Sequence, residues 1–263
     1  MYCVNCGSQV VSNDSFCTNC GNPSSVSRGV PTVYKPLPKY SSVHGLSLSL
    51  AIVFAVLLVV AAVSIYSDIL QVQLIDRVAN GGIITEAEAT TNDARVASIG
   101  GIYFLVNIVV IVLFLVWIHT AHRNLGPLGS AGLEYTPGWA VGGFFVPFLN
   151  LVRPYQVTKE IWKASDPDFL STTGDNWKKV RVSSILGWWW ALFLITGFFG
   201  NMVLRSSFNL DTLENIQSYT YVTLASDIIL VPAIILAVVL VLDIDNRQMK
   251  RYKVKFFARN QEP

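Results

Sequence analysis

Residues 135–152 read YTPGWAVGGFFVPFLNLV, and whether this stretch crosses a membrane decides between an even and an odd number of spans. It is apolar enough to enter hydrocarbon, yet Pro137, Gly138, Gly142, Gly143 and Pro147 interrupt it. Proline removes an amide donor and glycine weakens a helix. Irregular backbone at membrane depth survives only where protein or a wet cavity satisfies its polar groups.

Outward from this stretch lie four better runs: 46–66, 99–118, 185–203 and 221–242. Each supplies about 20 residues, close to what a hydrocarbon layer about 30 Å thick requires. The chain of 263 residues is 52% hydrophobic and only 14% charged, against about 25% charged in an ordinary soluble domain. A polytopic membrane protein follows. The first 45 residues are polar, and the first apolar run is too long for a cleaved leader, so it reads as a signal anchor.

Cations decide how often the chain crosses. With four spans and an interior amino terminus, 16 Lys and Arg fall inside, against Arg77, Arg95 and Arg205 outside. A fifth span at 135–152 would leave 5 inside and 14 outside, which the positive-inside rule rejects. Starting the five-span arrangement outside gives 14 to 5, a weaker bias that also exposes the cysteines to oxidation. Four spans with both termini cytoplasmic is the expectation. Residues 135–152 then form a re-entrant or interfacial segment between spans two and three. After it, PYQVTKEIWKASD at 154–166 alternates as an amphipathic helix expected on the inner leaflet. Trp162, Lys159 and Lys163 there, with Lys250 and Arg251 in the basic tail, are the expected membrane-surface contacts. All seven tryptophans fall between Trp117 and Trp190. Two readings stand: an aromatic belt, or a stacking pocket for a planar or lipid-like ligand that would include Trp139.

The amino terminus carries all four cysteines, Cys3, Cys6, Cys17 and Cys20, as C-x2-C-x10-C-x2-C with Gly7 and Gly21 closing the knuckles. Two such pairs suit a tetrahedral zinc ion, and four thiolates leave no open position, so the metal would be structural. The alternative, a disulfide frame, belongs to oxidising compartments. Residues 1–27 hold no Lys or Arg, which argues against phosphate and hence nucleic-acid binding and for a small protein-contact module. The organisation expected is a zinc ribbon at 1–21, a Pro/Ser-rich linker at 22–45, a membrane domain at 46–246 and a basic tail at 247–263.

Several phrases occur together in order: WIHTAHRNLGPLG at 117–129, YTPGWAVGGFFVPFLNLVRPYQ at 135–156, EIWKAS at 160–165, GWWWALFLI at 187–195 and IDNRQ at 244–248. They resemble a bacterial membrane family catalogued as domain of unknown function 4328, often preceded by a zinc ribbon. The resemblance covers roughly residues 45–255. It implies a four-helix all-α domain in the bacterial inner membrane and brings no catalytic residues.

No phosphate-binding loop, H-E-x-x-H or dinucleotide fingerprint is present. The candidate ligand or ion residues are Asp227 and Asn107, expected within spans, with His119 and His122 on one helix face. His44, Asp243 and Asp245 are expected at the same depth as the histidine pair, a set that could bind metal or haem. Asp227 could instead lie in the outer headgroup zone, paired with Arg205. The leading expectation is a non-enzymatic scaffold or sensor whose zinc ribbon binds a cytosolic partner. The alternative is a small transporter or a lipid-binding protein. Homo-oligomerisation is left open.

Overall fold

The computed structural model describes residues 39–168 and 176–259; the cysteine-bearing segment lies outside them. Four helices are long and apolar enough to cross a membrane: α1 (His44–Ala79), α2 (Glu86–Arg123), α5 (Ser184–Ser206) and α6 (Leu213–Arg259). Two shorter ones, α3 (Pro137–Gly142) and α4 (Arg153–Ala164), lie between α2 and α5. Among the described residues there is no strand. At 1.5 Å per residue, α1 and α2 are each about 55 Å long, so they contain the expected spans and continue well past a 30 Å core.

Polar chemistry stabilises that extension. α1 ends where Gly81, at φ 81°, turns the chain left-handed at no steric cost. The Gly82 amide then donates to the Arg77 carbonyl at 2.9 Å. α2 opens with a capping box: the Glu88 amide donates to Thr85 Oγ1 at 3.2 Å, and the Thr85 amide donates to Glu88 Oε2 at 2.9 Å. Arg77 and Glu88 pair at 3.1 Å across the hairpin.

α1 packs between α2 and α6, and α6 packs between α1 and α5. The shared core is built from Leu50, Phe54 and Leu57 of α1 with Ile234, Ala237, Leu240 and Val241 of α6. Ile52, Val59, Phe104 and Phe198 point outward and are exposed. That is the expected inversion, because lipid tails are as apolar as the core and helices associate by packing and hydrogen bonds.

One pole is closed by a polar cap in which several of the phrases that carry the family resemblance meet. Asn124 Nδ2 donates to the Ser41 carbonyl at 2.7 Å and to Gln248 Oε1 at 3.1 Å. Gln248 Nε2 donates to the Ala121 carbonyl at 2.8 Å and to Ser165 Oγ at 3.1 Å. Arg251 donates to the carbonyls of Leu128, Ala164 and Asp166 at 3.0, 2.9 and 3.2 Å. Tyr40 stacks on Tyr252 with ring centroids 4.2 Å apart. Burial there raises the Tyr40 hydroxyl above the usual phenol range, and the nearby Asp245 adds to it.

Segments on both sides of the expected membrane domain are tied into this cap. The linker expected through Gly45 is already tied down at Tyr40 and Ser41. The tail expected from 247 is the last part of α6, because Gln248 and Arg251 are needed inside. α4, expected as an amphipathic helix, turns its apolar face to protein, with Val157, Ile161 and Ala164 buried. Trp162 is buried beneath the Arg247 guanidinium, 4.0 Å from its ring centroid, and Arg251 is buried as well, so neither is a membrane-surface contact. Glu160, on the expected polar face, is also buried.

Asn124→Ala should strand the Gln248 amide and release Ser41, costing about 1–3 kcal/mol for the unsatisfied partners. Thermal unfolding in detergent checks this. Lys250→Ala, at an exposed position on the same helix, should leave the melting temperature within about 1 °C, since isolated surface changes cost little.

Candidate functional site

α2 and α5 meet near the cap through Phe114 and Trp189, whose ring centroids are 6.2 Å apart. Beyond that contact a cleft of about 470 Å³ runs between the two helices, floored by Phe54 and Leu57 of α1 and by Ser226, Leu230, Ala233 and Ala237 of α6. Its volume falls within the range of small-molecule sites. Along α2 it extends from Leu115 to Tyr103, and along α5 from Trp189 to Gly200, about 16–18 Å of helix in each case. The walls are almost wholly apolar. Polar groups come from Tyr103, Asn107, Thr196 and Ser226.

Glycine opens the α5 wall. Gly197 and Gly200 line the cleft, and a Cβ added at either would meet no atom within 4 Å. Helical glycine costs about 1 kcal/mol relative to alanine, and no packing neighbour requires it here. The space itself is what these residues leave.

The interrupted stretch forms the cap-side lip. Thr136 Oγ1 accepts from the Trp139 amide at 3.3 Å, and Pro137 starts α3, where its missing donor does no harm. α3 is about 9 Å long, so this segment is no fifth crossing. After a turn at Phe148, which sits at φ 64°, a 3-10 turn at Leu149–Leu151 leads back into α4. The two arms approach so closely that a Cβ on Gly143 would lie 2.9 Å from Arg153 Cβ. Phe144 packs edge-on against Phe114 with centroids 5.9 Å apart, and Phe144 and Phe145 line the cleft. Phe145 and Phe148 are 68% and 84% exposed. Trp139 is exposed and lies over Gly142, on the hairpin and outside the cleft.

At the other pole, Asp227 is buried beside Ser64. Asp68 of α1 is also buried, within electrostatic reach of Asp227. Each carboxylate keeps one buried oxygen, Oδ2, without a partner. Arg95 is the cation near Asp68; it donates to Ser67 Oγ at 3.0 Å and to Asn92 Oδ1 at 2.6 Å. Arg205, expected as the partner of Asp227, is exposed on α5. Along α6, Asp227 is about 27 Å from Asp245, which puts it near the far boundary of a 30 Å core.

The histidines do not assemble. His44 Nδ1 lies 2.8 Å from Asp245 Oδ2, whereas His122 Nε2 lies 3.2 Å from Glu160 Oε2 in a fully buried pair. Glu160 Oε1 also accepts from the Glu134 amide. Asp243 pairs with Arg247 at 3.5 Å, and His119 is half-buried on the same helix as His122. Among the described residues no group of three potential ligands could hold a metal, so the five residues that could have shared one depth do not form a joint metal site. Equal depth put these residues on one level but on different faces.

Asn107 and Asn201 spend their amides on their own helices, donating to the Tyr103 and Gly197 carbonyls at 2.9 Å each. Of the expected surface cations, Lys159 and Lys163 are half-buried and Lys250 is exposed. Burial and the neighbouring Lys159 lower the Lys163 ammonium, which donates to the Lys178 carbonyl at 2.7 Å. Sequence reasoning missed Asp68, two residues beyond the expected end of span one. It also missed Glu160 and the cleft. An acid just past a span was a readable signal for Asp68; nothing in the one-dimensional pattern marks a gap between α2 and α5.

No curated protein and no solved structure matches the chain. A zinc-ribbon family model matches residues 2–24, over all four cysteines. The model of the family described as Domain of unknown function (DUF4328) matches residues 80–246, which takes in α2, the hairpin, α4, α5 and the membrane part of α6. That is more than half of the chain, and the protein belongs to this family, here with an amino-terminal zinc ribbon.

Proposed function

We propose that the protein is a non-enzymatic membrane sensor or scaffold that holds an amphiphile in the α2/α5 cleft and recruits a cytosolic protein through its zinc ribbon. The cleft carries this reading. It is a preformed apolar site opening beside a lip of exposed aromatics, with no arrangement beside it that resembles an acid–base or nucleophilic pair. The cation distribution supports a cytoplasmic polar cap and, with it, a cytoplasmic ribbon. The hairpin then enters the inner part of the bilayer: Phe144 touches Phe114, one turn deeper than Trp117, whose Nε1 donates to Ser47 Oγ at 2.9 Å.

Cys3, Cys6, Cys17 and Cys20 would hold the zinc, and its binding would supply the folding energy of a segment too small for a core. Without cationic side chains the ribbon suits a protein partner better than nucleic acid.

Two measurements test the reading. Lipid extracted from the purified protein should fall about tenfold in Gly197→Leu, which fills the cleft, and less in Gly197→Ala, with both variants folded because nothing crowds that position. Equal retention in Gly197→Leu and wild type would exclude the cleft. Metal analysis should return one zinc per chain and close to none after Cys6→Ser with Cys17→Ser. Pull-downs with and without residues 1–21 should then differ in the proteins captured.

A second reading, ion-coupled transport, is favoured by the two buried carboxylates with unpartnered oxygens. If Asp68 and Asp227 only cap the bundle, Asp227→Asn relieves like-charge crowding and raises the melting temperature by a few degrees, about 1 kcal/mol. Under the transport reading the same variant abolishes the pH dependence of ligand retention.

A further inference from the structure

We propose that the cleft takes an acyl chain of an anionic phospholipid from the leaflet at the polar cap, with the lipid phosphate held at Arg153. The inference rests on the reading of the cleft as a ligand site and adds the ligand's class, its leaflet and its polar anchor.

The mouth of the cleft is on the cap side. Trp189 lies only five residues into α5, and with Phe114, Phe144 and Phe145 it surrounds that end. From there the apolar walls continue for about 16 Å, roughly half of a 30 Å core. A chain entering at the mouth therefore lies along the helices and reaches past the bilayer midplane, toward the level of Ser226. Phe145 and Phe148 flank the entry as exposed aromatics, and Phe148 is held there by a backbone conformation that non-glycine residues rarely adopt.

A cation lies beside the lip. Arg153 packs its Cβ against Gly143, next in sequence to Phe144, so its stem is fixed against the lip. Its guanidinium lies 5.1 Å from the centroid of Tyr135 and donates one long hydrogen bond, 3.4 Å, to Gln156 Oε1. Tyr135 donates to the same oxygen at 3.0 Å, so the guanidinium plane is braced from two sides. Among the described residues no carboxylate pairs with Arg153; the five ion pairs all involve other groups. An aromatic face orients a guanidinium without neutralising it. The charge that remains, with donors in a planar fork, matches a phosphate oxygen pair. Because no carboxylate among the described residues pairs with Arg153, a net negative headgroup is favoured.

The test uses the full chain in nanodiscs of phosphatidylcholine with a minority of phosphatidylglycerol, followed by detergent exchange and mass spectrometry of the retained lipid. Wild type should enrich phosphatidylglycerol about fivefold over its share in the disc. Arg153→Gln should lower the enrichment to near one while total retained lipid changes little, and Arg153→Lys should restore part of it. Gly197→Leu should lose both lipids together. Retention without enrichment in wild type, or full enrichment in Arg153→Gln, would overturn the anionic anchor and leave the cleft reading standing. No retained lipid in wild type would remove both. A readout independent of any variant is tryptophan quenching. Phosphatidylglycerol brominated in the acyl chain should quench more strongly than the matching phosphatidylcholine, and free glycerol phosphate should not relieve it. Equal quenching by the two lipids would contradict the proposal.

Discussion

Arg251, Gln248 and Asn124 hold the molecule together at one end. Their donors reach carbonyls and side chains contributed by the segment before α1, the end of α2, the loop after it and the end of α4. In the hydrocarbon region there is no hydrophobic driving force between helices, so a bundle that is loose on its lipid-facing sides needs a fixed end. The cap supplies it. With the cap ends of α2 and α5 fixed by α3 and α4, the two helices can stand apart farther along, and the cleft is the space this leaves.

Glycine and aromatic residues then divide the labour. Gly143 allows the two hairpin arms to touch, and the hairpin in turn sets Phe144 against Phe114. Gly197 and Gly200 do the opposite, keeping a wall open where any larger residue would fill it. The same residue type closes the lip and empties the site behind it.

The four-helix architecture was legible because the runs at 46–66, 99–118, 185–203 and 221–242 are long and poor in charge, and a bilayer allows such runs few alternatives. The rejection of a fifth span at 135–152 rested on cation counting and agrees with a six-residue α3. The polar cap was harder to read. EIWKAS looks like an amphipathic surface pattern, but Glu160 faces His122 and Trp162 faces Arg247, because α4 is covered by the ends of α2 and α6. A helix whose apolar face packs on protein has the same periodicity as one whose apolar face packs on lipid. The acid pair was half legible: Asp227 stands out inside a run, whereas Asp68 looks like an ordinary residue following a span until α6 is placed beside it.

α6 is continuous from Leu213 to Arg259, with Pro232 inside it at the level of the cleft. Proline deletes one backbone hydrogen bond and softens a helix locally, while about 40 Å of rod continues from there to the end of the helix. A tilt of about 5° at that soft point, over such an arm, displaces the far end by about 3–4 Å. Gln248 and Arg251 lie on that arm and are tied into the cap, so a bend beside the cleft would strain the cap hydrogen bonds rather than swing a free end.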